Sequence, residues 1–224
     1  MKIAILTPSR ERPDRFCELE AAIRENADNV YGIEVYLGLD TDDPCLHDYR
    51  PSPRTFVYSQ RRQPLAPWTN FLATEAMRRG ADILGFLGDD HRPRTDGWDY
   101  FIQEAFRAHG KGLVYCDDGH QGEKLPTAPF WSAEIIQALG YYYPPQLKHL
   151  FADNFWLRLA TDLDRCTYLP SVLIEHMHPD AGKAKRDRSY NESQQHWDAD
   201  EAAYEALVNG PAYRAALSLT REAL

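Results

Sequence analysis

The chain has 224 residues, 43% of them hydrophobic and 26% charged, enough to fill one sizeable core, so a single α/β domain is the simplest expectation. Its formal charge of -9 excludes a general electrostatic pull onto nucleic acid or anionic lipid, and no window approaches the ~20 apolar residues that span a bilayer. Cys17, Cys45, Cys116 and Cys166 are scattered without a C-x-x-C pair, and Met1-Lys2 leads into an apolar run too short for a secretory segment; reduced thiols and a cytoplasmic location are expected.

Ile3 to Thr7, stopped by Pro8-Ser9-Arg10, predicts a buried first strand. Asp14 caps a predicted helix over Arg15 to Asn26, with Phe16, Leu19, Ala22 and Ile23 on one face. A second strand, Glu34 to Leu39, runs into the acidic turn Asp40-Thr41-Asp42-Asp43-Pro44, and a third covers Thr55 to Ser59. After Pro64 and Pro67 a helix is predicted over Trp68 to Arg79, ended by Gly80. Asp82 to Leu87 then reads as a central strand covered on both faces, and Gly88-Asp89-Asp90-His91 follows immediately. This alternation favours a mostly parallel sheet with ligands at the carboxyl ends of its strands. Three polar loops fall at such ends: Pro8 to Arg12, Asp40 to Asp43 and Asp89 to His91.

In the second half, Asp96 caps a helix over Trp98 to Ala108, and a strand from Leu113 to Tyr115 ends in Cys116-Asp117-Asp118-Gly119. Residues 119–130, rich in glycine and proline, are expected as a loop before a helix from Ser132 to Leu139. The aromatic segment Tyr141-Tyr142-Tyr143 precedes a helix over Asp153 to Ala160. A strand from Thr167 to Ile174 ends in Glu175-His176-Met177-His178, and the remainder from Ser189 is helical and polar.

Adjacent carboxylates at a strand end, with a histidine beside them, are costly to gather unless a cation sits there. Asp89-Asp90-His91 therefore suggests Mg²⁺ or Mn²⁺, against the plainer reading of a solvated acidic turn. Strand alternation puts His176 and His178 on one side, where neutral imidazoles suit Mn²⁺. The basic stretch Lys183 to Arg188 is either a solvated loop or a contact for an anion.

The chain resembles GT-A fold glycosyltransferases, especially small family-2-like enzymes of phages and bacteria. The resemblance is carried by Ile3-Ala4-Ile5-Leu6-Thr7-Pro8-Ser9-Arg10, Trp68-Thr69-Asn70, Ile83-Leu84-Gly85-Phe86-Leu87-Gly88-Asp89-Asp90, Phe130-Trp131-Ser132 with Leu139-Gly140, and Asp153-Asn154, over about residues 1–180. It implies a GT-A domain over 1–188, with a nucleotide half over about 1–95 and an acceptor half over about 96–188, then a helical extension over 189–224. It also implies a nucleoside diphosphate sugar as donor, UDP-linked in particular. Thr7, Pro8, Arg10 and Asp40 would stand near the base, Asn70 and Asp89 near the donor, and Lys183 and Lys185 over the diphosphate, with Gly182 as a hinge. Asp90, His176 and His178 would hold the metal, with His91 able to join them; the first Asp of D-x-D is replaced by Gly88. Asp153 would be the base, though it equally suits a helix cap, and Asp117 and Asp118 are the alternatives. The acceptor hydroxyl could belong to a glycan, a protein or a hydroxymethylated DNA base reached through the 183–188 loop. A nucleotidyltransferase would need a glycine-rich loop after the first strand, which Pro8-Ser9-Arg10-Glu11-Arg12-Pro13 lacks; a non-catalytic nucleotide-sugar module is the remaining alternative.

Overall fold

The apolar runs form the strands β1 (Ile3–Ser9), β2 (Ile33–Asp40), β3 (Thr55–Gln60), β4 (Ile83–Phe86), β5 (His91–Pro93), β6 (Leu113–Asp117), β7 (Pro129–Ser132) and β8 (Cys166–His176). In the computed structural model, which describes all 224 residues, they make one sheet in the order β3-β2-β1-β4-β7-β6-β8-β5. The first half is parallel: β1 pairs with β2 from Ile3↔Ile33 and with β4 from Ile3↔Ile83. β7 runs antiparallel to both β4 and β6, and β5 antiparallel to β8, so the sheet is mixed.

β7 lies where a loop was expected. Its four residues are fully buried, and Pro129 begins the strand, a position where a missing N–H is tolerated. Gly85 makes the pairing possible: it stands opposite Phe130, and a Cβ there would lie 2.4 Å from the Phe130 ring.

Strand alternation sends Ile3 and Ile5 to one face of the sheet, where they meet Phe16, Leu19 and Ile23 of α1 (Pro13–Glu25) and Trp98 and Ile102 of α3 (Trp98–His109). Ala4 and Leu6 face α2 (Leu65–Arg78), α4 (Ala133–Leu139) and α5 (Ala152–Asp162). Leu207 of α7 (Trp197–Asn209) and Tyr213 and Ala216 of α8 (Pro211–Ala223) belong to that second cluster, so the helices after residue 188 share the main core. α1 starts at Pro13, with Asp14 inside its first turn instead of capping it; proline needs no hydrogen bond at that position. α2 begins three residues before Trp68, because Leu65 and Ala66 extend its apolar face.

Candidate functional site

The chain leaves β4 at the carboxyl edge of the sheet and turns through Gly88. A Cβ on Gly88 would lie 2.7 Å from an Asp90 carboxylate oxygen and 3.3 Å from His91 Nδ1, so these side chains close over the place of the missing aspartate. β5 follows at once and pairs with the end of β8, setting His91 opposite His176 with their rings stacked at 4.3 Å. Asp90 Oδ1 is 3.3 Å from His91 Nδ1, and Oδ2 is 3.7 Å from His176 Nε2. One ligand atom from each of Asp90, His91 and His176 lies within 4.8 Å of the others.

Both ring nitrogens of buried His91, and Nδ1 of His176, lack a hydrogen-bond partner. Leaving such a group unpaired costs about 1–3 kcal/mol, which a cation bound by one nitrogen of His91 would offset. Two imidazoles and a carboxylate fit a divalent cation tolerant of nitrogen ligands, such as Mn²⁺. Arg92, alternating to the opposite side, fixes the turn: Nη1 donates to the carbonyls of Asp89 at 2.8 Å and His91 at 2.7 Å.

Asp118 sits behind His176, its Oδ2 3.8 Å from Nδ1. Its Oδ1 accepts from the N–H groups of His120, Gln121 and Gly122, and Oδ2 from the Thr127 hydroxyl. Burial alone would raise this carboxyl, but His176, the backbone donors and Thr127 hold it well below the usual range. Burial alone would likewise lower the His176 imidazole, yet Asp118 and Asp90 push it up to about 9. Asp118 thus orients an imidazole and lies outside the cavity, as does Asp117.

A cavity of about 550 Å³ opens in front of this group, lined by Pro8, Arg10, Asp40, Asp89, Asp90, Asp153, His176 and His178 among others. Asp40 Oδ1 accepts from Trp68 Nε1 at 2.8 Å and Oδ2 from Arg10 at 3.1 Å; Arg10 also reaches Asp42 at 2.7 Å. Gly38 admits the indole, since a Cβ there would meet its ring at 2.7 Å. Asp89 accepts from the Ser9 hydroxyl at 2.7 Å and from Arg12 at 3.0 Å.

Other expected residues stand elsewhere. Thr7 is fully buried and donates to the Leu87 carbonyl, tying β1 to the chain beyond β4. Asn70 is bonded to the backbone of Tyr142 and Tyr143, so it positions Tyr143, which lines the cavity. Lys183 pairs with Glu175 at 3.0 Å, and neither Lys183 nor Lys185 reaches the cavity. Lys183 is held by local acidity, as Arg186 is by Asp180 and Arg188 by Glu192, while Lys185 is exposed and makes no ion pair. His178 lies two residues past the end of β8 and lines the cavity, its ring 5.0 Å from that of His176, with Nδ1 accepting the Asp180 N–H. It stands outside the three-residue group, whose second imidazole is His91.

Asp153 lies in the first turn of α5, half-buried, and burial pushes its carboxyl upward. Its carboxylate accepts from the N–H of Asn154. The helix is entered through Phe151, whose φ of 66° is the left-handed region that a bulky side chain avoids. Asp200, from α7 and 2% exposed, holds the approach: its carboxylate accepts from the N–H groups of Lys148, His149 and Leu150 at 2.8–3.0 Å.

The segment that covers Asp90, His91 and His176 is α6 (Arg188–Gln194). Asp187 caps it by accepting from the Tyr190 N–H at 3.2 Å, and the Tyr190 hydroxyl donates to Asp90 Oδ2. Arg12 bridges Asp89 and Asp187 and lies 4.6 Å over the Tyr190 ring. Arg12, Tyr190, Asp187 and Asp200 were not expected from the sequence; two arginines in the proline-bounded loop Pro8 to Pro13 were the available signal for the first.

No protein-family model matches the chain, and no curated protein matches it in sequence. Solved structures do match. S. aureus TarS 1–349 in complex with UDP-GlcNAc aligns with a TM-score of 0.64 at 12% identity, over 94% of this chain and 68% of that one. The mannosyltransferase PcManGT from Pyrobaculum calidifontis, in complex with GDP-Man and Mn²⁺, aligns with a TM-score of 0.67 at 12% identity, over 99% of this chain and 69% of that one. Against a longer TarS structure the chain spans 40% of the length. The architecture shared over nearly the whole chain is the GT-A fold of glycosyltransferases, and this protein has that fold.

Proposed function

We propose that the protein is a metal-dependent glycosyltransferase that moves a sugar from a nucleoside diphosphate sugar, a UDP-sugar in particular, to an acceptor hydroxyl. The observation that carries this reading is the convergence of Asp90, His91 and His176 in a cavity whose wall also bears Asp153. The donors bound by the structural neighbours, UDP-GlcNAc and GDP-Man with Mn²⁺, support it.

Mn²⁺ held by Asp90, His91 and His176, its binding displacing the proton that Asp118 and Asp90 favour on His176, would neutralise charge on the donor diphosphate. Asp40, braced by Trp68 and Arg10, retains lone pairs to accept the N3–H of uracil. Asp89, fixed by Ser9 and Arg12, would accept from the ribose hydroxyls. Asp153 takes the proton of the acceptor hydroxyl, and its upward-shifted carboxyl makes it a stronger base than a solvated aspartate. Phe86, Tyr143 and Trp156 supply apolar wall that excludes water. The acceptor we infer is a glycan or protein hydroxyl: Lys183, Arg186 and Arg188 are each paired with an acidic neighbour, which leaves only Lys185 of that stretch to attract DNA.

A donor screen read by mass spectrometry, with Mn²⁺ and after chelation, tests the reading. The wild type should transfer sugar, or slowly hydrolyse a donor, only with the metal. Asp90→Ala should abolish turnover, and Asp153→Ala should slow it by about 10²-fold or more. Nucleotide binding without turnover of any donor would make the protein a binding module, and an active Asp90→Ala would overturn the metal assignment.

A further inference from the structure

The lysines expected over the leaving diphosphate are turned away, Lys183 being held by Glu175 and the Gly119 carbonyl. The cation that stands beside the metal-binding turn is Arg12, whose side chain is 12% exposed. Nη1 donates to Asp89 at 3.0 Å, while Nε and Nη2 donate to the two oxygens of Asp187 at 2.9 and 2.6 Å. This two-pronged pairing with a carboxylate is the geometry in which a guanidinium also grips phosphate oxygens. Three residues on, the Tyr190 hydroxyl is bonded to Asp90, and its ring lies beneath Arg12. The start of α6 therefore sets an anion on Arg12 and a hydroxyl donor on Asp90, one of the residues that would hold a cation.

Asp187 has no need of Arg12 to begin its helix, because it already caps α6 through the Tyr190 N–H. Nor does Arg12 need Asp187 for neutrality, since Asp89 is beside it. The second carboxylate is surplus to both purposes.

We propose that Arg12 is a catalytic residue that grips the donor diphosphate, and that Asp187 is an internal anion occupying it until the donor arrives. This rests on the glycosyltransferase reading. As the bond between the sugar anomeric carbon and the β-phosphate oxygen breaks, its electron pair goes to that oxygen, and Arg12 stabilises the charge gathered there. The acceptor oxygen forms the new bond to the anomeric carbon, and its proton passes to Asp153. Asp187 swings off with α6 while Nη1 keeps Asp89 in place.

Calorimetric titration in EDTA, so that no cation contributes, separates the possibilities. The probes are inorganic pyrophosphate, UDP and uridine, against wild type, Arg12→Gln and Asp187→Asn. Asp187→Asn retains a good helix cap and should fold normally. Freed of its internal competitor, it should bind pyrophosphate and UDP about tenfold more tightly, with uridine unchanged. Arg12→Gln should weaken both phosphorylated probes by about tenfold or more, again sparing uridine. Pyrophosphate affinity unchanged or weakened in Asp187→Asn would overturn the inference, as would UDP binding indifferent to Arg12→Gln; both would leave the donor reading intact. Arg12-dependent pyrophosphate binding without any nucleotide binding would do the reverse, sustaining the anion site and retiring the donor.

Discussion

Asp200→Ala should destabilise the protein out of proportion to its place on a polar C-terminal helix. The carboxylate is 2% exposed and accepts three backbone N–H bonds, from Lys148 at 3.0 Å and from His149 and Leu150 at 2.8 Å. A hydrogen bond to a charged group contributes about 1.5–3 kcal/mol, and each buried donor left unpaired costs a similar amount. Part of the 148–150 segment faces solvent and can recruit water, so the three losses will not sum fully. About 3–5 kcal/mol is expected, equivalent to roughly 10 °C in Tm for a chain of this length. Asp200→Asn should fall between: with its carbonyl towards His149 and Leu150, its amide hydrogens meet the Lys148 N–H. Thermal and urea unfolding of the three proteins measure this. The clamp also holds the entry to Phe151, whose left-handed backbone stores about 1–3 kcal/mol of strain. A Tm within 2 °C of wild type for Asp200→Ala would show that the clamp bears no load.

His91→Ala should weaken Mn²⁺ binding, followed by electron paramagnetic resonance without donor, by about tenfold or more; unchanged affinity would remove His91 from the site. Gly85→Ala drives a methyl to 2.4 Å from the Phe130 ring and should cost about 1–3 kcal/mol in chemical denaturation, whereas a neutral effect would contradict the β4–β7 pairing. Burial lowers the His149 imidazole to about 4, against about 6.5 unfolded. The unfolded chain therefore takes the proton first. Stability is flat above about pH 6.5, falls as pH drops towards 4 and levels below it, by about 1–2 kcal/mol after allowance for the site's partial exposure. The urea midpoint should fall further between pH 7.5 and 4.5 in wild type than in His149→Gln, and an equal fall in the two proteins would refute this reasoning.

What could be read from the chain was whatever lies in continuous stretches. β1, β2 and β4 announce themselves as apolar runs, and Asp40, Asp90 and Asp153 stand at the carboxyl ends or helix starts where the run of elements put them. β5 and β7 were hidden because three or four residues bounded by proline carry no period, and their pairing is decided by distant partners. The same limit explains the histidines. His178 is two residues from His176, so alternation favoured it, but β8 ends at His176 and the chain turns away. His91 is brought in by cross-strand register, which adjacency in sequence does not reveal. Lys183 looked like part of a diphosphate grip because Glu175, which holds it, lies back on β8. Asp200 looked like an ordinary charge in a helix's first turn; only its burial against residues 148–150 distinguishes it.

The pairing of β5 with β8 makes the group of Asp90, His91 and His176 a gauge of register. His91, Arg92 and Pro93 stand opposite His176, Glu175 and Ile174, and side chains alternate along the strand. A slip of one residue would turn His91 to the side of Arg92 and bring the guanidinium to face His176, replacing a ligand with a repelling charge. A cation bound here thus rewards a single alignment of two segments far apart in the chain. It would stabilise that alignment by about 2.7 kcal/mol when present at a hundred times its dissociation constant. The ion that would serve the chemistry would also select, among the pairings open to a three-residue strand, the one that builds the site.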